Sequence, residues 1–182
     1  MDERIDILNE DGSPTGTTQM KSFAHANGLF HATVHIWFYT KEKQILLQKR
    51  AWNKDIFPGL WDVSVAGHIG AGEEIIDSAL RETQEEIGLE IQKKDLQKIG
   101  VFKSVQDHSA SLMDREFHHT FIAELTVPLN SLTKQESEVD DLKLMPIDTF
   151  LTALKTKQDA PFVPHSLQYY ETTARAIKQQ LL

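Results

Sequence analysis

The sequence predicts an α/β fold, a mixed β-sheet covered by helices, on three grounds. Alternating apolar stretches suited to strands interleave with stretches of helical spacing instead of segregating into separate halves. The composition, 40% apolar and 25% charged with nine glycines and six prolines, is that of a folded soluble chain and indicates neither disorder nor a fibrous repeat. At 182 residues the chain suits one domain, 1–182, with a substantial core.

The elements follow in order. "RIDILN" alternates and stops at the turn-rich "EDGSPTG", which gives a first strand. "FHATVHIWFYT" places Phe30, Ala32, Val34, Ile36 and Phe38 on one face and His31, Thr33, His35, Trp37 and Tyr39 on the other; "QILLQKR" follows after a short polar turn, so a hairpin is expected over 30–50. "FPGLWDVSVAGH" holds a turn and a short strand to about Gly67. After "IGAGEE" a helix runs from about Glu73 to Ile87 and ends at Gly88, a residue common just past a helix end. "LQKIGVFKSVQ" and "REFHHTFIAELTV" read as strands; "PIDTFLTALKT" and the stretch from about Ser166 to Leu182 read as helices.

Bulk properties exclude several function classes. With no cysteine there is no disulfide framework, thiolate zinc site or cysteine nucleophile. The acidic N-terminus lacks the basic and apolar regions of a signal peptide, and no apolar run reaches membrane-spanning length, so a cytoplasmic protein without membrane contact is expected. A formal charge of −8 argues against a nucleic-acid binder acting through a basic field. Between Gly67 and Glu90 seven acids face one base, Arg81, so one segment carries most of the net charge.

If those acids only solvated a helix they would lie opposite its apolar stripe. At about 100° per residue, with Glu82 at zero, Ile75, Ala79, Thr83, Ile76, Ile87 and Leu80 span an arc from about +20° to +160°. Glu86 falls inside it at about +40°, Glu82 at its edge, and Glu85 about 60° beyond. A buried carboxylate without compensation costs several kcal/mol, so a positive group is required. Either Arg81 supplies it, in a salt-bridged helix edge, or a hard divalent cation does, Mg²⁺ or Mn²⁺, which favours carboxylate oxygens at i, i+3 and i+4.

The same stretch, Gly67, five residues, Glu73, seven residues, "RE", two residues, "EE", Ile87, "GL", resembles the signature of the Nudix hydrolases. Seven fixed positions match, with a chance of about one in 10⁸ per starting point; only Thr83 departs, where the pattern has an aliphatic residue. The resemblance implies an α/β/α sandwich that hydrolyses a diphosphate linkage in a nucleoside diphosphate derivative or similar small molecule. It further implies Glu82, Glu85, Glu86 and the Gly67 carbonyl as metal ligands, Arg81 and Glu73 as the pair that orients them, and Glu85 as general base, with Glu116 and Glu138 as outside candidates.

Residues 16 to 120 also resemble the type I isopentenyl-diphosphate isomerase branch of that fold, through "KSFAHANGLFH", "LLQKRAWNKDIFPGLWDVSVAGH" and "DREF". That resemblance implies a second metal set of His25, His31, His68, Asp114 and Glu116, and a diphosphate grip of Lys21, Arg50 and Lys54. Ala66 stands at the isomerase's catalytic cysteine, Asp114 replaces a glutamate, and the gap from His25 to His31 is one residue shorter. Loss of the thiol removes one of two acid/base groups, so an isomerase-like hydrolase is favoured over an isomerase, and the intact glutamate pattern over a non-catalytic sensor. Taken singly, His31, His35, His118 and His119 read as ordinary strand histidines, and Trp61, Phe102, Phe117 and the aromatic residues of the C-terminal "PFVPHSLQYY" as core before contacts to the group attached to the diphosphate. Homodimer pairing through the N-terminal strand is the expected mode of any self-association.

Overall fold

The computed structural model describes residues 2–156 and 161–182. One mixed sheet holds nine strands: β1 (Arg4–Leu8), β2 (Pro14–Met20), β3 (Phe30–Tyr39), β4 (Gln44–Arg50), β5 (Trp61–Asp62), β6 (Val65–His68), β7 (Gln97–Ser109), β8 (Leu112–Glu124) and β9 (Val139–Pro146). The α-helices are α1 (Lys21–Asn27), α2 (Ile75–Ile87), α3 (Ile147–Thr156) and α4 (Leu167–Gln180). The expected fold class, helices on both sides of a mixed sheet, is the one found.

β3 is the axis. Along one edge it pairs in parallel with β8 from His31↔Glu116 to Tyr39↔Glu124. Its other edge is shared by β1 at Ile7↔His31, β6 from Thr33↔His68 to Ile36↔Val65, and β4 at Tyr39↔Ile45. The expected hairpin therefore closes at a single register position and then splays. β6 occupies the space beside β3, while β4 pairs mainly with β9, a strand whose polar "VDD" start hides it from a search for apolar alternation. β1 is not an edge strand: it pairs with both β2 and β3, and β2, read in the sequence as part of a turn, takes the outer position.

Strict alternation on β3 builds two cores. Val34, Ile36 and Phe38 pack with Leu46, Val65, Phe121 and the Ala79 and Ile87 face of α2. Trp37 and Tyr39 pack on the opposite side with Ile122, Phe150 of α3, and Tyr169, Tyr170 and Ile177 of α4. Ile36→Ala, at a fully buried position, is expected to cost about 2–5 kcal/mol, read as a lower urea midpoint with an unchanged slope. Among the described residues no helix is long and apolar enough to cross a membrane.

The second face is not apolar throughout. Its first half presents His31, Thr33 and His35 from β3, Ala66 and His68 from β6, and Glu116 and His118 from β8, all brought into register by the pairings above. The hydrophobic core begins only at Trp37, so the same strands carry a polar site and a packed core end to end.

Candidate functional site

α2 positions the glutamates. Its C-cap, Gly88, takes the left-handed conformation with φ 66°, and its amide bonds the Gln84 carbonyl as the helix ends. Glu82 and Glu86 are buried and Glu85 is half exposed, in the order the helical angles predict. Thr83 is fully buried and returns its hydroxyl to the Ala79 carbonyl at 2.7 Å, so the atypical residue is satisfied locally.

Arg81 is the hub of this cluster. Its Nε and Nη2 donate to the two Glu73 oxygens at 2.9 Å each, its Nη1 to Glu82 at 2.7 Å and Glu85 at 3.1 Å, and its Nη2 to the His68 carbonyl at 3.1 Å. Gly67 abuts the Glu82 carboxylate so closely that a β-carbon at 67 would overlap it. Glu86 lies outside the reach of this hub. It accepts only from neutral donors, Gln48 Nε2 at 2.9 Å and the Ala66 amide at 3.2 Å. Burial, with the charge of Glu82 beside it, pushes the Glu86 carboxyl up to about 8, and burial pushes Glu82 up to about 7 against the opposing pull of Arg81. One arginine therefore serves three acids and leaves the most buried one uncompensated.

A second cluster stands across the same cavity. Nitrogen and oxygen atoms of His25, His31, His68 and Glu116 lie within 4.8 Å of one another. His31 Nδ1 donates to the Leu29 carbonyl at 2.9 Å, which turns Nε2 toward an oxygen of Glu116 at 3.5 Å. Burial opposes a charge on the ring but Glu116 raises the His31 pKa, and in the neutral ring Nε2 is an acceptor facing an acceptor. Among the described residues that nitrogen has no hydrogen-bond partner. Two buried acceptors facing each other fit a cation between them, and a ring whose other nitrogen is fixed by a carbonyl is how histidine ligands are commonly oriented. Burial holds His68 neutral, as a ligand requires. Asp114 stands behind, with His25 Nδ1 2.8 Å from one oxygen and His108 Nε2 2.9 Å from the other.

The two clusters line one cavity of about 600 Å³. Ten acids and four bases line it, so an anionic ligand meets net repulsion unless cations are present. Lys21, Arg50 and Lys54 are all in its wall, each beside an acid: Lys21 on Glu3 at 3.1 Å, Arg50 on Asp62 at 3.3 Å, and Lys54 on Glu138.

The NUDIX domain family matches residues 29–166, most of the chain. The chain belongs to the Nudix hydrolases. It is 32% identical to an uncharacterised Nudix hydrolase of Clostridium acetobutylicum over 97% of each chain, and 34% identical to Nudix hydrolase 3 of Arabidopsis thaliana over 91% of this chain. It spans only 22% of the length of that Arabidopsis protein. An isopentenyl-diphosphate Delta-isomerase of Serratia proteamaculans is 32% identical over 67% of this chain and 66% of its own. The fold matches the crystal structure of DR0079 from Deinococcus radiodurans with a TM-score of 0.71 at 16% identity, covering 93% of this chain and 98% of that one.

In this Nudix chain the candidate metal, catalytic and diphosphate-gripping residues all stand in the wall of one cavity except His31, which is buried within the histidine cluster, and Glu73, which reaches the site through Arg81. Trp61, Phe102 and Phe117 do not line it. Trp61 and Phe102 pack at the α3–α4 core, and Phe117 covers Gly12 and Phe30. Gln48, His35, His118, His165 and Asp62 escaped notice as a group. The alternation of β3 and β8 puts His35 and His118 on the face of His31, which the sequence carries; the pairing of His165 with Asp62 at 3.0 Å joins residues 103 apart and has no local signal.

Proposed function

We propose that this chain hydrolyses a diphosphate linkage in a nucleoside diphosphate derivative or similar organic diphosphate, with Mg²⁺ or Mn²⁺ held by Glu82, Glu85, Glu86 and the Gly67 carbonyl. The observation that carries the proposal is Glu86, a buried carboxyl among like charges with only neutral donors to meet it. A divalent cation held there would supply positive charge to offset the phosphate oxygens and would lower the pKa of water bound to it. The chain's own groups do the rest. Arg81, fixed by Glu73, holds Glu82 in place; Glu85, the most accessible of the three acids, takes the proton of the attacking water; Lys21, Arg50 and Lys54 leave their acidic partners to grip the diphosphate. His25, His31, His68 and Glu116, with Asp114 behind His25, form a second cation site that offsets further charge in an acid-rich cavity.

The histidine cluster also favours a second reading, isopentenyl-diphosphate isomerisation. Against it, Ala66 stands in the cavity wall without an acid or base. A panel of nucleoside, sugar and alkyl diphosphates assayed with Mg²⁺ and with Mn²⁺ tests both readings. Phosphate or monophosphate release that EDTA abolishes supports hydrolysis. Exchange of solvent deuterium into isopentenyl diphosphate without phosphate release supports isomerisation and overturns the proposal.

A further inference from the structure

The two oxygens of the Glu116 carboxylate face different histidines. Oε1 stands 3.5 Å from His31 Nε2 and 3.7 Å from His68 Nε2, whereas Oε2 stands 3.3 Å from His118 Nδ1. The split follows from the sheet. The β3–β8 register sets His31 opposite Glu116 and Thr33 opposite His118, so His118 and His35 lie further along the same polar wall, stacked with ring centroids 4.0 Å apart. One nitrogen each of His35 and His118 and one oxygen of Glu116 lie within 4.8 Å of one another, a ligand set that shares only Glu116 with the set of His25, His31 and His68.

We infer that Glu116 bridges two imidazole-seeking metal ions, Zn²⁺ or an ion of its kind, one held by His25, His31 and His68 and a further one by His118 and His35. The ion at His118 and His35 goes beyond the diphosphate reading and stands whether or not the chain hydrolyses one. It is also distinct from the Mg²⁺ or Mn²⁺ assigned to the acids of α2.

Three observations carry it. First, the separations suit ligands better than hydrogen bonds. Two donors about 2.1 Å from one ion, at about 100–110° to each other, are about 3.2–3.5 Å apart, whereas a charge-assisted N–H···O bond is about 2.7–2.9 Å long. His25 Nε2 and His68 Nε2 at 3.2 Å, His31 Nε2 and Glu116 Oε1 at 3.5 Å, and His118 Nδ1 and Glu116 Oε2 at 3.3 Å fall in the first range. Second, His118 is incomplete. Its Nδ1 has the Thr33 hydroxyl at 2.8 Å, but its Nε2 has no partner among the described residues although the residue is only 4% exposed, so one polar edge of the ring is unmet whichever nitrogen carries the proton. Third, the donor set is rich in imidazole, which suits Zn²⁺, whereas Mg²⁺ prefers oxygen ligands and keeps its water. Burial holds His35 and His118 neutral, the form that ligates, and the Tyr169 hydroxyl 2.7 Å from His35 Nδ1 fixes that ring from behind. A bridged pair would add positive charge to a cavity in which acids outnumber bases.

The test is a titration of the metal-depleted full chain with Zn²⁺ in excess Mg²⁺, so that the α2 acids are already filled. About two zinc ions per chain are expected to bind, against about one in His118→Phe, where the further ion is weakened at least about 100-fold. Co²⁺ in place of Zn²⁺ gives a measurement that needs no variant. Two ions sharing a carboxylate couple their spins, so the electron paramagnetic resonance signal per cobalt is expected to fall as the second equivalent binds. One zinc ion or none on the wild type, an unchanged second affinity in His118→Phe, or a cobalt signal that grows in proportion to the metal bound overturns the inference. Two zinc ions on a chain that releases no phosphate from any diphosphate uphold it while refuting hydrolysis, and hydrolysis by a chain that binds at most one does the reverse.

Discussion

Glu86→Gln lowers turnover by about 10²–10⁴-fold and leaves the metal-free fold at least as stable as the wild type. The amide keeps the shape that Gln48 and the Ala66 amide surround, and it removes the charge that burial penalises. The sign with pH follows from the same shift. A carboxyl raised from 4.5 to about 8 on folding binds its proton more tightly in the folded chain than in the unfolded one. Its contribution to stability is thus complete below pH 4.5 and is lost as pH rises toward 8, a loss on the order of a few kcal/mol for a fully buried group. Thermal unfolding in EDTA should therefore show the wild type weakening from pH 5 to 8 relative to Glu86→Gln. Addition of Mg²⁺ should reverse the difference by binding the ionised form. Glu85→Gln, at a half-exposed position, is expected to lose comparable activity with no change in this profile. A wild type and Glu86→Gln with the same pH dependence would refute the burial argument.

Gly67→Ala is expected to abolish activity, by about 10²-fold or more, without unfolding the chain. The new methyl overlaps the Glu82 carboxylate, which is the end of a flexible side chain and can swing aside. The fold tolerates the move, because β6 keeps its pairing with β3 at Val34↔Gly67 and residue 67 has ordinary extended backbone. The displaced carboxylate, however, leaves Arg81 and with it the ligand geometry, and a shift of about 1 Å at a reacting centre is enough for a loss of this size. A circular dichroism melt within a few degrees of the wild type, together with lost turnover, is the expected pair of results. Retained turnover would mean that Glu82 has no part in the chemistry.

The α2 cluster was legible in the sequence because a helix converts spacing into angle with little help from the rest of the fold. Glu86 between Ile75 and Ala79 could be placed inside the buried arc from periodicity alone. The strands β3 and β8 were legible for the same reason at period two, including the histidine face of β3. Pairing was not. That β6 would insert beside β3 and splay the hairpin, and that β9 would become the main partner of β4, depends on competition among edges that no local pattern encodes. The polar wall shows this limit most plainly: His118 and His35 read as unremarkable strand residues one at a time, and become a unit only when the parallel β3–β8 register stacks them and α4 brings Tyr169 and the preceding His165 over them. Lys21, Arg50 and Lys54 were placed by resemblance; their acidic partners, drawn from the N-terminus, β5 and the segment before β9, were visible only in three dimensions.

The central claim is that the three acids of α2 and the Gly67 carbonyl gather a divalent cation that Arg81 alone cannot replace. A crystal soaked in Mn²⁺ and measured at the manganese absorption edge tests it most directly. The account predicts anomalous density in contact with Glu82, Glu85, Glu86 and the carbonyl of Gly67, at about 2.0–2.4 Å. Density absent from that position, with Glu82 still on Arg81 and Glu86 still on Gln48, would contradict it.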